Sequence, residues 1–522
     1  MKFSIPDIIV FLIYCVIVIG VGISISRRVN RKKDTNSYFF AGNSLSWYLV
    51  GSSVIAANIS AEQFVGMSGS GFAMGLTIAT YEWLAAIMLI MVAWWFLPVF
   101  INKKIYTMPQ FLEARYNHRI KTVMAIFWLL LFVFVNLTSI LYLGALSLKT
   151  VFGTNLGFAI AGLALFSVFL TVGGGLKTIA NTDVIQVVFL VFGGLTTTWL
   201  ALNTVSGGHG ALNGFSMLME KAPEKFHMIL LKSDPNYKYM PGIRSILGGI
   251  WIAGIYYFGA NQYIIQKALG AKNLREAQRG MAFAGYLKLI IPVLVVIPGI
   301  AAFVLKADIA RPDEAYPWLL GRFVPSGIKG FVFAALIAAI VSSLAAIINS
   351  ASTIFSIDIY KVHFKPHISE ENLVKTGRIS SVVIVAIAAS IASLLTGIEQ
   401  VFQFIQEYTG LVSPGITAMF LLGIFWKKTT AKAAWIAVLI TFPVPLLLKW
   451  IYPTLPFLDN MVISFLIISS QMIAVSLSDK GKQPQDTKWE LPKGIFKNSD
   501  YIFKWLTAGI VAILIMLYYI FW

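Results

Sequence analysis

In the stretch "SSVIAANISAEQFVGMSGSG", residues 52–71, Asn58, Glu62 and Gln63 stand beside Gly66, Gly69 and Gly71 inside an apolar run. Glu82 in "TYEWLAAIML", Lys288 in "GYLKLIIPVLVV", and Gln406 with Glu407 in "FQFIQEYTGLVSPG" are similarly surrounded by hydrophobic residues. Burying an ionisable group in such a setting costs at least about 2.5 kcal/mol, so each is a functional candidate by default. Lys288 has the alternative of snorkelling from a helix end, and Glu407 that of a structural partner. Carboxylate, amide and ammonium groups together satisfy many hydroxyls directionally, and an aromatic face covers an apolar ring; that combination suits a neutral polyhydroxylated ligand. Ser342 and Ser343, adjacent in "FAALIAAIVSSLAAIINS", are oxygen donors of the kind a hard cation such as Na⁺ seeks. A helical serine also back-bonds to its own helix, so this pair points to an ion site only if other oxygens converge on it.

The elements that must hold these groups are membrane helices. Hydrophobic residues make up 58% of the 522, charged residues 12%, about half the fraction of a soluble chain, and the mean hydropathy is +0.78. Apolar runs long enough to span a bilayer number about fourteen. They fall near 5–26, 45–68, 78–101, 122–148, 157–174, 181–203, 245–266, 281–304, 328–356, 379–397, 401–425, 433–451, 457–477 and 503–521. The chain is expected to be one transmembrane domain over 1–522. Its first span lacks a small-residue cleavage site and carries its basic cluster on the far side, unlike a signal peptide.

The net charge of +18 does not imply nucleic acid, because the basic residues collect in alternate loops. Arg27–Lys33, Lys103–Lys121, Lys267–Arg279, Lys361–Arg378, Lys427–Lys432 and the segment from Lys480 to Lys504 are such clusters. The positive-inside rule places them in the cytoplasm, and an even number of spans then puts both termini outside. The five histidines are assigned to loops, and the single cysteine, Cys15, allows no disulfide within the chain. The usual residues of membrane hydrolases and metalloproteases are therefore lacking, which leaves a transporter or a channel.

Polar residues and glycines amid a span have two explanations. A glycine-rich helix packs closely on its neighbours; alternatively, the helix is broken, and its free carbonyls and amides line a cavity. Transporters built from inverted repeats carry such breaks at matching positions. Span 7, "LGGIWIAGIYYFGANQYIIQKAL", again combines glycines, the aromatics Tyr256, Tyr257 and Phe258, and the amides Asn261 and Gln262. The halves match in position: 45–203 and 245–425 would be two repeats of five spans, with 5–26, 433–451, 457–477 and 503–521 peripheral.

The blocks "SSVIAANISAEQFVGMSGSG", "TYEWLAA", "NTDVIQV", "IYYFGANQYIIQ", "AAIVSSLAAIINS", "FQFIQEYTGLVSPG" and "LLGIFWKKTT" resemble the sodium–solute symporter family, and most of all its bacterial sodium–galactose/glucose branch. The resemblance runs from the first span to the last, with a shorter loop around 306–320. It implies an all-α, LeuT-like polytopic fold with two inverted five-helix repeats, a bacterial inner-membrane location, and Na⁺-coupled sugar transport by alternating access without enzymatic chemistry. It puts a sodium site on the carbonyls of Ala56, Ile59 and Ala339 and the hydroxyls of Ser342 and Ser343. Sugar contacts fall on Gln63, Glu82, Lys288 and Gln406, with Tyr257 stacking beneath the sugar beside Asn58 and Phe258 next to it. Met67, Tyr81 and Phe402 take the outer gate, and Asp183 an acidic place on the sodium exit path. The chain departs from the galactose pattern at Gly254, Ala85 and Phe258, where the family's Asn, Ser and Trp are expected. Those departures leave the sugar open. Other solutes of the family, among them inositol, sialic acid and amino acids, and a channel remain alternatives.

Overall fold

The computed structural model describes residues 4–30, 34–60, 62–396, 401–479 and 500–522. The clusters at 31–33 and 480–499 lie outside the described residues. Helices make up nearly all of the rest, and the only β pairing described is one parallel bridge, Leu45 to Ala271. Among the described residues nine helices are long and apolar enough to cross a membrane, or eleven if two bent pairs are single spans. The difference from about fourteen apolar runs has local causes. The run 45–68 breaks after Trp47–Asn58, a helix of 12 residues. The run 245–266 breaks at Asn261, whose backbone is extended, and restarts as Gln262–Leu269. The runs 157–174 and 181–203 join as Leu156–Val205, which is broken at Gly175. Unbroken, those 50 residues would reach about 75 Å, against a hydrocarbon core of about 30 Å. Gly175 has φ +57, and a Cβ there would meet the Tyr38 carbonyl oxygen at 2.1 Å, so only glycine serves.

The first break is capped locally by Ser60 and Gln63. The Ser60 main-chain N–H donates to Gln63 Oε1 at 3.0 Å, and the Glu62 N–H donates to Ser60 Oγ at 3.0 Å. Ser60 and Gln63 thus begin a new helical segment where the old one stops at Ile59 (φ −80, ψ 102). The glycine-packing explanation holds for the same segment: Cβ atoms at Gly66 and Gly71 would lie 2.7 Å from Phe402 Cβ and 2.8 Å from the Val296 carbonyl. Break and close packing coexist.

The two broken helices are tied at their ends. Leu45, before the first, accepts from Lys272 N–H and donates to the Gly270 carbonyl after the second, at 3.0 and 3.1 Å. Lys329–Thr353, which carries the serine pair, is the central helix: 94% of its most apolar window is buried, against 17% for Ile5–Val29 and 22% for Tyr501–Phe521. It packs against Leu156–Val205 and Trp47–Asn58. The carboxylate of Asp7 receives the Gly327 and Gly330 N–H groups, seating the first helix on the start of the central one.

Several residues assigned to loops turn out otherwise. His118 opens the helix His118–Leu131, and His363 lies in the helical extension Ile354–Phe364. Arg115 and Lys267 are each 1% exposed. Arg115 donates to the carbonyls of Gly423 and Trp426, and Lys267 faces Asp183. A count of basic residues along the chain cannot separate a solvated cation from one that has a buried partner.

Candidate functional site: a polar pocket beside an oxygen cluster

The break at Ile59 frees main-chain oxygens, and the central helix supplies a hydroxyl to them. Ser343 Oγ donates to the carbonyls of Ala56 and Ile59 at 3.1 and 3.2 Å, and Ser343 is fully buried. Ala339 lies one helical turn before Ser343, on the same face. Three neutral oxygens gathered in a dry interior suit a small hard monovalent cation. Among the described residues no group of three His, Cys, Asp or Glu side chains is placed to hold a metal ion.

Ser342 turns the other way. Its Oγ donates to Asp183 Oδ1 at 2.6 Å, while Ser53 Oγ donates to Asp183 Oδ2 and Lys267 Nζ stands 3.4 Å from that oxygen. Asp183 and Ser343 are therefore linked through adjacent residues of one helix. Ser53 and Lys267 are partners that sequence reading missed. The signal for Lys267 was its place in the amide-rich run "NQYIIQKALG", where a lone cation requires an anion.

One residue beyond Ala57, the same segment turns its side chains into a pocket. Asn58 Oδ1 receives Lys288 Nζ, which also donates to Glu82 Oε2 at 2.6 Å. Lys288 and Glu82 side chains are 1% and 4% exposed, so snorkelling does not explain Lys288. Desolvating such a pair costs several kcal/mol per ion, offset only by good geometry and additional hydrogen bonds. Asn58 Nδ2 donates to Tyr257 Oη at 2.9 Å, and Tyr263 Oη donates to the same oxygen at 2.6 Å. The Lys288 ammonium lies 5.5 Å from the Phe258 ring centre, within cation–π reach.

Asn58, Glu82, Tyr257, Phe258 and Lys288 line a pocket of about 690 Å³, its open mouth included, together with Glu62, Gln63, Tyr81, Phe402 and Gln406. Gln63 has committed its Oε1 to Ser60, which leaves its amide N–H groups for a ligand. Glu62 Oε1 is buried with no partner among the described residues. Tyr81 and Phe402, both in the pocket lining, meet edge to face at 5.9 Å. Met67 is buried but does not belong to the pocket wall. Glu407 stays outside as well and pairs with Lys449 at 2.6 Å, a structural role.

Ala85 and Gly254 both line the pocket, and so does Met88. A Cβ on Gly254 would fall 1.7 Å from Met88 Sδ. The thioether occupies the space that a side chain at 254 would need.

The profile of the sodium:solute symporter family matches residues 38–441. The chain is 49% identical to a sodium/glucose cotransporter of Vibrio parahaemolyticus, covering 99% of this chain and 98% of that protein. It is 32% identical to sodium/myo-inositol cotransporter 2 of Sus scrofa, covering 86% of this chain and 70% of the relative. A solved Na⁺-coupled sialic acid symporter in a substrate-bound outward-open state superposes with a TM-score of 0.81 over 91% of this chain and 98% of its own, at 24% identity. That likeness concerns the fold, which agrees with the LeuT-like expectation. With a family match over most of its length, a nearly full-length relative and two broken helices around a polar pocket, this multi-pass membrane protein belongs to the sodium:solute symporter family.

Proposed function

We propose that the solute is a neutral monosaccharide, a hexose of the glucose or galactose type, carried inward with Na⁺. The observation that carries this reading is the pocket's composition. Its one cation, Lys288, is closed in a pair with Glu82, the Glu62 carboxyl adds acceptor oxygens, its amides come from Asn58, Gln63 and Gln406, and Tyr257 and Phe258 add aromatic faces. Such a lining offers donors and acceptors to several hydroxyls and no free cation to a carboxylate. The name of the Vibrio relative supports it.

Sodium is a co-transported substrate here, held by Ser343 Oγ and the carbonyls of Ala56, Ile59 and Ala339; the expected second hydroxyl, Ser342 Oγ, donates to Asp183 and joins the ion only by turning from that carboxylate. Binding there draws the broken helix to the central helix. Asn58 sits between Ala56 and Ile59, so the same movement sets the Asn58 amide against Lys288 and Tyr257. Each ligand thereby raises affinity for the other, by the same factor in both directions. Tyr257, tied to Asn58, and the Tyr81–Phe402 pair act as gates on the pocket. Met67 joins them as part of the outer gate, and Asp183 receives the ion on its way out. Inward movement of one positive charge supplies about 2.3 kcal/mol per 100 mV of membrane potential. Residues 45–203 and 245–425 form the two inverted halves that rock about the pocket. The protein resides in a bacterial inner membrane with both termini outside, and it performs no covalent chemistry.

Counterflow tests this directly. Purified protein in sodium-loaded proteoliposomes is offered glucose, galactose, myo-inositol, sialic acid and proline. Saturable, sodium-dependent exchange of a hexose is expected. Exchange of only a charged solute, or flux linear in concentration, refutes the reading.

A further inference from the structure

A second cavity lies away from the solute pocket, where the end of the first helix, the turn before Leu45 and the stretch just past Gly175 meet. It measures about 740 Å³, its open mouth included. Arg28 enters it from the first helix and Lys177 from the far side of the Gly175 break; among the described residues neither has an ionic partner. No carboxylate lines the cavity, and the neighbouring acids are engaged elsewhere. Asp34 receives the N–H and hydroxyl of Ser37 at 2.6 and 2.8 Å, and Asp183 holds Ser53, Ser342 and Lys267. Asn181 Nδ2, also in the lining, donates one hydrogen to the Lys177 carbonyl at 2.7 Å and keeps the other. Ala41, Gly42 and Asn43 follow one another with φ of 55, 62 and 48. Turns with such left-handed residues form main-chain concavities that take anions, and alanine and asparagine hold this conformation only where their surroundings impose it. Two unpaired cations, a spare amide hydrogen and no acid suit a phosphate group.

The cavity sits where bilayer meets water. Further along the first helix Val16, Ile17 and Ile23 are exposed, a face for acyl chains, and Trp47 and Tyr48, just beyond Ser44, are exposed as aromatic residues at a membrane boundary are. The orientation proposed above puts this end at the cytoplasmic leaflet, where anionic headgroups meet basic residues. A free phosphate ester has no use for the apolar rim, and a headgroup bearing an ammonium would find no carboxylate in the lining. We infer that this cavity binds the phosphate of an anionic phospholipid of the phosphatidylglycerol class, its chains lying along the first helix. The turn runs through Leu45 into Trp47–Asn58, and Lys177 stands on the segment that carries Asp183. A bound headgroup therefore ties the first helix to both elements that meet at the oxygen cluster.

The test is native mass spectrometry of the purified protein titrated with phosphatidylglycerol or phosphatidylethanolamine. Wild type should retain phosphatidylglycerol in preference. One cation at a membrane surface strengthens anionic-lipid binding about fivefold, so Arg28→Gln or Lys177→Gln should weaken retention about fivefold and the double variant about 30-fold. Lys361→Gln/Lys365→Gln removes the same charge from exposed positions outside the cavity and should leave retention unchanged. Thermal unfolding in nanodiscs gives a second readout. Adding an equal part of phosphatidylglycerol to phosphatidylethanolamine should raise the unfolding temperature of wild type and not that of the double variant, whose cooperative transition in both discs shows that it folds. Equal retention by wild type and double variant, or no preference over phosphatidylethanolamine, overturns the inference. If inorganic phosphate or glycerol 3-phosphate fills the site at lower concentration than phosphatidylglycerol does, the ligand is a free phosphate and the lipid assignment falls.

Discussion

Ser343→Ala removes one hydroxyl and leaves the surrounding helix intact. That hydroxyl donates to the Ala56 and Ile59 carbonyls at 3.1 and 3.2 Å, a neutral interaction contributing about 0.5–1.5 kcal/mol. With Na⁺ bound, the same oxygen faces a charge, and interactions with charged groups contribute about 1.5–3 kcal/mol. The change in sodium affinity is the difference, about 1–1.5 kcal/mol, or a 5- to 13-fold rise in the sodium concentration needed for half-maximal uptake. The assay is initial sugar uptake into proteoliposomes as a function of external sodium at fixed potential. Reciprocity adds a second readout: sugar affinity should weaken at low sodium and recover at saturating sodium. Ser343→Thr, which keeps the hydroxyl, should stay close to wild type. Ser342→Ala should shift sodium dependence less, because its hydroxyl is engaged by Asp183 at 2.6 Å. Unchanged sodium dependence in Ser343→Ala, or a loss of uptake that high sodium does not restore, would refute the assignment of the ion to this cluster.

Glu82→Ala or Lys288→Ala alone leaves a buried charge unpaired, which costs about 3–5 kcal/mol; the double variant Glu82→Gln/Lys288→Met should unfold at a higher temperature than either, although all three lose sugar affinity. Gly254→Asn by itself should reduce folded yield, since its Cβ would collide with Met88 Sδ. Gly254→Asn/Ala85→Ser/Met88→Ala should fold and shift competition toward galactose, and an unshifted order would show that these positions do not choose the sugar. On the surface, hydrogen bonds from Arg279 at 2.6 and 3.0 Å hold the Asp500 carboxyl below the usual carboxylate range. A carboxyl with a depressed folded pKa stabilises above its unfolded value, about 3.9, and that contribution is lost as pH falls through the folded pKa. Docking of Tyr501–Phe521 should therefore be flat from pH 8 to 5 and loosen only in stronger acid, followed by Trp505 fluorescence; a transition near neutrality would contradict this.

Composition and short motifs determined a good deal alone. A chain 58% hydrophobic and 12% charged has no option but the bilayer, where every main-chain polar group must be satisfied within helices. Because polar groups are costly there, Asn58, Gln63, Glu82 and Lys288 stood out before any fold was known. Tertiary structure decided what these groups do to one another. Glu82 and Lys288 are 206 residues apart in sequence yet 2.6 Å apart in space, and no local pattern encodes that pairing. The adjacent serines looked equivalent, but 100° of helical rotation per residue sends Ser343 to the freed carbonyls and Ser342 to Asp183. Lys267 counted as a solvated loop cation until its anion appeared on another helix. Gly254 looked like a simple loss of a polar contact; only packing revealed that Met88 fills the space, because a side chain's volume is claimed in three dimensions by whichever neighbour reaches it first.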